Sequence, residues 1–412
     1  MYRKIAIAVA TLALTYAAWA NSATTLFSKF APEQGLRLDP TSAQALINVT
    51  EKASTQKDKT AFRKIARRNA IAALRSEPLA SRAIRQLGLY YDVTGNRAEA
   101  RKLVRLANSL SRRDPTAQLW LADDYLRAGR YRQAMTAIDV VLRTEPDTRE
   151  TVSRVLGATL ADPDFRQVFV SYVKNRPSWL SYFIDYNVAT MQQPQWLSQA
   201  LIELQPLPPA ILSDTSSAVL LTALVNRAPI EEARRFYLTF PKADTRALES
   251  LSYRGPADGL LFPPVGWELM NDGNVQGFGD SEGNSIAIEA IAAPGRRGPA
   301  ARKLLFLRPG SYRWIGNADL AGLGPGAAAG VSILCNDGPG IWTPLLRREA
   351  SEGQNSFDFS IVSACSAQML VIDIIGSENQ SDSNIKFSKM RVLPLRNDKT
   401  ATKSAAAAPS DQ

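Results

Sequence analysis

The sequence predicts a multidomain α + β protein, with an N-terminal α-helical solenoid followed by a C-terminal antiparallel β-sandwich of jelly-roll-like form. Three observations carry this. Leu87, Gly88, Tyr91, Gly95, Ala100, Val104 and Ala107 recur 34 positions later as Leu121, Ala122, Tyr125, Gly129, Ala134, Ile138 and Val141. Beyond about Pro241 the helical pattern gives way to short β-type runs separated by Gly, Pro and Asn-Asp-Gly clusters. A chain of 412 residues, 45% of them hydrophobic, can bury more than one core.

Arg3 and Lys4 stand before an apolar stretch from Ile5 to Ala20 that closes on Ala18-Trp19-Ala20, a small-x-small ending. A positive flank, an apolar run and a small-residue end mark an export signal. Residues 1–20 are therefore expected to be a signal peptide or a membrane anchor. The stretch is shorter than the roughly 20 residues that span a bilayer, yet Tyr16 and Trp19 suit an interfacial belt. Either way the rest of the chain is expected outside the inner membrane, in the periplasm.

Asp39-Pro40-Thr41 starts a helical pattern that runs to about Ser54, and a second helix is expected from about Thr60 to Ser76, stopped by Pro78. Ala66, Ala70 and Ala73 put small residues where two helices would touch. Two clear units follow, about 81–113 and 115–146. Downstream, Asp162-Pro163, Gln193-Pro194 and Ala228-Pro229 place proline near helix starts, and Asp214 to Phe240 reads as a worn helix pair. Trp179, Tyr182, Phe183 and Tyr186 are expected in the core of this array. The helical domain is drawn at 26–240 and a linker at 241–258.

The seven recurring residues, with Pro146 closing the second copy, resemble the tetratricopeptide repeat (TPR). The resemblance implies stacked helix pairs in which small residues sit at the contact and Gly closes the first helix. It also implies a surface that holds partner proteins, here those of the envelope. The order of signal, repeats and sandwich is similar to that of TPR-containing proteins of bacterial envelope and exopolysaccharide systems.

From 259 to 395 a β-sandwich is expected, with strands at 285–291, 303–307, 312–315, 331–334, 356–362, 369–375 and 385–393. Phe357, Phe359 and Ile361 alternate with Asp358 and Ser360, the period of a half-buried strand. The polar, Ala-rich tail 396–412 is expected to be disordered.

Chemistry is narrowed first by what the chain lacks. It contains no histidine, which removes the commonest general base, the commonest zinc ligand and every Ser-His or Cys-His nucleophile. Cys335 and Cys365 fit one disulfide in an oxidising compartment, or else two buried thiols. No cofactor and no metal site is predicted. Asp272, Asn274, Asp280, Glu282 and Asn284 alternate as calcium ligands can, but an ordinary polar hairpin accounts for them better. Gly277-Phe278-Gly279 and Gly322 to Gly326 open no helix after a buried strand and read as turns.

The formal net charge of +10 is concentrated. Lys57 to Arg113 holds 15 basic residues against four acidic ones. Arg97, Arg101 and Arg105 fall on one helix face, and Arg63 and Arg67 on another. This basic repeat face is a candidate for an acidic polysaccharide, anionic lipid headgroups or an acidic protein patch, or it is a solvated face. Nucleic acid is disfavoured, because export separates the chain from it and no motif accompanies the charge.

Trp267, Tyr312, Trp314 and Trp342 are the candidates for stacking on sugar rings, the alternative being that they fill the sandwich core. The function expected is a non-catalytic exported adaptor, binding partners or acidic polymer through the repeats and glycan through the sandwich. The alternative is a glycan-active enzyme, a lyase or glycosidase, in which Asp272, Asp280, Glu282 and Glu289 would gather across a cleft.

Overall fold

The computed structural model describes residues 25–55, 59–205, 211–252, 260–378 and 382–395, with scattered positions between 11 and 23. The described positions of the expected signal are helical and exposed; most of it, and all of the expected tail, lie outside the described residues. Among the described residues no helix is long and apolar enough to cross a membrane. The packing divides the chain into two compact units, Met1–Val152 with Pro177–Trp179, and Ser153–Arg176 with Leu180–Gln412.

In the first unit the expected helices form where the sequence places them, as Ala43–Ser54, Thr60–Ser76, Ser81–Val93, Arg97–Leu110, Pro115–Arg127 and Tyr131–Thr144. The starts are chemically marked. Ser42, Asn96 and Asp114 each accept a backbone N–H of the first turn, and Pro115 follows Asp114 at the first helical position. The equivalent glycines Gly95 and Gly129 have φ of 89° and 66°, so each turn uses a conformation that costs glycine least. Small residues let the helices close: a β-carbon on Gly88 would lie 2.8 Å from Val104 Cγ2. Ala66, Ala70, Ala73, Ala100, Ala107 and Ala134 are wholly buried.

The aromatic group expected in the core divides. Trp179 and Phe183 are buried, and Trp179 Nε1 donates to Asp139 Oδ1 at 2.9 Å. Tyr182, however, is exposed and stacks on half-buried Tyr186 one turn on. The reason within the Leu180–Thr190 helix is its period: Phe183 falls on the inward stripe and Tyr182 and Tyr186 on the outward one, while Trp179 lies in the turn before it.

The second unit carries helices Pro163–Val173, Leu180–Thr190, Pro194–Glu203, Asp214–Arg227 and Ile230–Tyr237, then the β-sandwich. Its strands are β1 (Glu268–Leu269), β2 (Val275–Glu282), β3 (Ser285–Ala292), β4 (Arg297–Leu305), β5 (Gly310–Asp319), β6 (Ala328–Gly338), β7 (Ile341–Glu349), β8 (Gly353–Ile361), β9 (Gln368–Ile375) and β10 (Ser383–Pro394). They form two antiparallel sheets, ordered β1-β4-β9-β6-β7 and β2-β3-β10-β5-β8. Ala301, Leu305, Val331, Ile333, Leu370, Ile372 and Ile374 line the buried side of the first. Ile286, Ile288, Trp314, Ile385 and Phe387 line that of the second.

Residues 241–252, expected as part of a linker, fold onto the sandwich instead. Thr245–Leu248 is a short 3-10 helix with Ala247 and Leu248 buried. The Phe306 amide donates to Leu248 O at 2.6 Å. Lys303, wholly buried on β4, donates through Nζ to Ala247 O at 2.8 Å and Val265 O at 2.6 Å. Its few apolar residues, set among charged and hydroxyl side chains after Pro241, made this stretch read as a connector; residues 253–258 lie outside the described residues.

Cys335 and Cys365 are joined by a disulfide with Cα atoms 5.6 Å apart. The bridge ties β6 to the turn leading into β9, its neighbour in the sheet.

Candidate functional site

Strand alternation builds the most developed surface of the sandwich. In β5, β8 and β10 every second residue turns inward, leaving the intervening ones on the solvent side of the β2-β3-β10-β5-β8 sheet. The register then aligns them across strands. Phe278 of β2 faces Glu289 of β3, Glu289 faces Lys386 of β10, and Lys386 faces Asp319 of β5. With strands about 4.8 Å apart, this row is roughly 14 Å long, the reach of a short oligosaccharide.

Beside it, Ser388, Asn317 and Gln354 form a second row, and Arg391, Ile315 and Ser356 a third. Among the described residues, no hydrogen bond or ion pair engages the side chains of Glu289, Lys386, Asn317, Gln354, Ser356 or Arg391. Arg313 and Asp358 close the face with a bidentate pair at 2.6 and 2.8 Å. The guanidinium holds the Asp358 carboxyl below its usual range, and the carboxylate raises Arg313 in turn. Phe278 is 45% exposed and offers an apolar plate at the end of the first row.

The aromatic candidates fare differently. Trp314 is wholly buried, stacked on Phe357 with ring centroids 4.8 Å apart and lying over Gly316, where a β-carbon would come 2.4 Å from its ring. Trp267 is likewise core. Neither indole can meet a sugar, because both sit on inward positions. Tyr312 is half-buried against Phe359 and its hydroxyl donates to Arg308 O at 2.9 Å. Trp342 alone of the four stays on the surface as an indole, half-buried on edge strand β7 opposite Asn336. Asn336, Asp337, Glu231 and Ser366 line a cleft of about 540 Å³ beside that edge.

Phe278 was hidden from sequence reading because Gly277 and Gly279 made the segment look like a turn. It lies instead in mid-strand, and the flanking glycines are the inward positions. A β-carbon on Gly277 would fall 2.0 Å from Ala300 O, so β2 passes β4 too closely for any other residue. Asn336 and Asp337, also expected in a turn, belong to β6, and the chain reverses at Pro339-Gly340.

Two of the residues weighed as calcium ligands, Asp272 and Glu282, are otherwise employed. Asp272 Oδ1 accepts from the amides of Asn274 and Val275, both at 2.9 Å, a turn that holds its carboxyl below the usual range. Glu282 accepts from the Lys389 amide. Among the described residues no group of three or more such side chains is placed to hold a metal ion.

The basic repeat face splits in two. Arg97 pairs with Asp92, Asp123 and Asp124, while Arg101 grips Asp124 through Nε and Nη2 at 2.8 and 2.7 Å. Arg130 joins the same carboxylate. Arg101 is the main cause of the lowered Asp124 carboxyl, against the opposing effect of burial. These two arginines are thus committed to acids on the neighbouring repeat rather than free for a partner. Arg63, Arg67 and Arg105 are exposed, with no ion pair among the described residues.

No protein-family model matches the chain, and no match was found among curated proteins. Solved structures similar to it each match about a third of the chain. At 12% identity and a TM-score of 0.25, 36% of the chain is similar to the CBM22-1 and GH10 modules of endo-1,4-β-D-xylanase 10B from Clostridium thermocellum in complex with xylohexaose, spanning 28% of that protein. At 11% identity and a TM-score of 0.24, 36% is similar to 94% of the CBM22-1 xylan-binding domain of a Paenibacillus barcinonensis xylanase. A family 4 carbohydrate-binding module is similar at 14% identity and a TM-score of 0.23, over 36% of this chain and 95% of the module.

Proposed function

We propose that this protein is an exported, non-catalytic glycan-binding adaptor. The sandwich takes a saccharide across the solvent face of the β2-β3-β10-β5-β8 sheet. The observation that carries the reading is the aligned row Phe278, Glu289, Lys386 and Asp319, flanked by uncommitted amide and hydroxyl side chains. Sugars need hydroxyl partners of both kinds and an apolar surface for their C–H edges. Trp342 is a second contact point. The helix pairs, as a TPR-like array, hold envelope proteins, with Arg63, Arg67 and Arg105 drawing an acidic polymer or protein patch. The setting is exopolysaccharide assembly or export, in the periplasm or tethered through residues 5–20, and the disulfide is at home in such an oxidising compartment.

The test is titration of the full chain with neutral and acidic bacterial polysaccharides, with reducing-end release followed in parallel. Phe278→Ala and Lys386→Ala should each weaken binding about tenfold, on the order of 1.4 kcal/mol. Binding untouched by both variants would reject this face, and release of reducing ends would make the protein an enzyme.

A further inference from the structure

In the first unit the turns that lead into the Ala43–Ser54, Ser81–Val93 and Pro115–Arg127 helices, residues 39–42, 77–80 and 111–114, follow one another along one edge. Ser76, the last residue of Thr60–Ser76, donates its hydroxyl to Thr41 O at 3.1 Å and so holds the second turn beside the first. Arg85, near the start of Ser81–Val93, donates Nη1 to Asp114 Oδ1 at 2.6 Å and so holds the third beside the second. Each turn shows solvent a leucine close to arginine. Leu38 is 51% exposed next to Arg37, Leu79 is 76% exposed four residues after Arg75, and Leu110 is 42% exposed just before Arg112 and Arg113.

All four arginines are exposed, with no ion pair among the described residues. The acids of these turns offset them little. Asp114 is buried on Arg85, and Asp39 accepts from the Thr41 amide and hydroxyl, which leaves Glu77. The Thr60–Ser76 helix contains no acidic residue, and its Lys64 and Arg68 share the stripe of Arg75. The pattern stops at the next turn, 145–148, where Glu145 and Asp147 stand and there is no leucine.

A single exposed leucine needs no explanation, but one beside an unpaired arginine at three successive turns of one edge is an amphipathic border. An acidic polysaccharide would meet the arginines and offer nothing apolar to the leucines. A protein would have to bring three separate apolar pockets. A bilayer surface sets phosphates above an acyl layer, and takes a row of protruding tips without matching their shape.

We propose that this edge rests on an anionic bilayer, with Leu38, Leu79 and Leu110 in the acyl boundary and Arg37, Arg75, Arg112 and Arg113 at the phosphates. It goes beyond glycan binding by the sandwich and beyond tethering through residues 5–20, since it uses neither. Either reading can fail alone, because the Phe278→Ala titration does not touch this edge.

The experiment uses the full chain, disulfide intact, with a bimane probe on Leu79→Cys or on Thr94→Cys at the opposite end of Ser81–Val93. It is mixed with vesicles whose acyl chains carry bromine, made of phosphatidylcholine alone or with phosphatidylglycerol in equal parts. Residues 5–20 could hold the chain to either vesicle, so the readout is the depth of the probe and not binding as such. With phosphatidylglycerol, bimane at 79 should be quenched and bimane at 94 untouched. Arg75→Ala and Arg112→Ala should each lower the partitioning of position 79 about fivefold and leave the thermal melt unchanged, since neither side chain has a partner to lose. Leu110→Ser should lower it as well, without changing its salt dependence. Equal quenching at both positions, quenching as strong in phosphatidylcholine alone, or quenching indifferent to both arginine variants overturns the proposal. Absence of quenching at 79 with phosphatidylglycerol also overturns it, and salt-sensitive binding of oligoglutamate that Arg75→Ala abolishes would then give the edge to an acidic protein.

Discussion

Lys303 is the residue most exposed to pH, although no solvent reaches it. Burial pulls its ammonium down from 10.5 to about 7, with Asp244 opposing. The folded state therefore prefers the neutral amine, and between about pH 7 and 10.5 the unfolded chain binds more protons. Stability must rise with pH across that window and be lowest below it. We expect about 2 kcal/mol more resistance to denaturant at pH 9 than at pH 7. Lys303→Met should lose most of that increment, as measured by denaturant midpoints at the two pH values. Nothing in the sequence distinguished Lys303 from a surface lysine, because its environment is made by Ala247 and Val265, 56 and 38 residues away. The tryptophans teach the same lesson. Trp314 and Trp342 both lie in strands, and only their places in the two sheets send one indole into the core and leave the other at an edge.

At the scale of elements, helices were legible because caps and spacing are local. Asp114-Pro115 and the Gly95 and Gly129 turns can be read without knowing what packs where. Seven strands were also visible, as β-branched runs. Two longer ones were not. β2, with sequence VQGFGDSE, carries glycines at its inward positions, and edge strand β7 carries Pro344 and three terminal charges, the residues that keep an edge from pairing with another chain. The basic face was legible only in part: helical spacing predicts which arginines share a face, but not that Asp124 from the next helix pair will meet Arg97 and Arg101. The disulfide spans β6 and the approach to β9. Replacing both cysteines with serine should cost about 3 kcal/mol by loop closure, read as a lowered unfolding midpoint with the sandwich still formed.

For the whole molecule, composition set the domain boundary near residue 240, while packing sets it near 152. The change from helix to strand does not coincide with the boundary between the two compact units, since the helices after Ser153 fall within the same unit as the sandwich. A fragment from Ser153 to Leu395 should unfold in a single transition. One beginning at Leu260 should melt earlier or fail to fold, because Lys303 Nζ and the Phe306 amide lose acceptors at Ala247 and Leu248; calorimetry of the two fragments checks this. In the first unit, the arginines gathered on Asp124 have a further effect. That carboxylate is almost fully buried and belongs to one helix pair, while Arg97 and Arg101 belong to the pair before it. Were either pair to open alone, a buried charge would be stranded, so the ion cluster acts as a nearest-neighbour coupling between repeats. The two hairpins open and close as one step, and their shared surface is either wholly present or wholly absent.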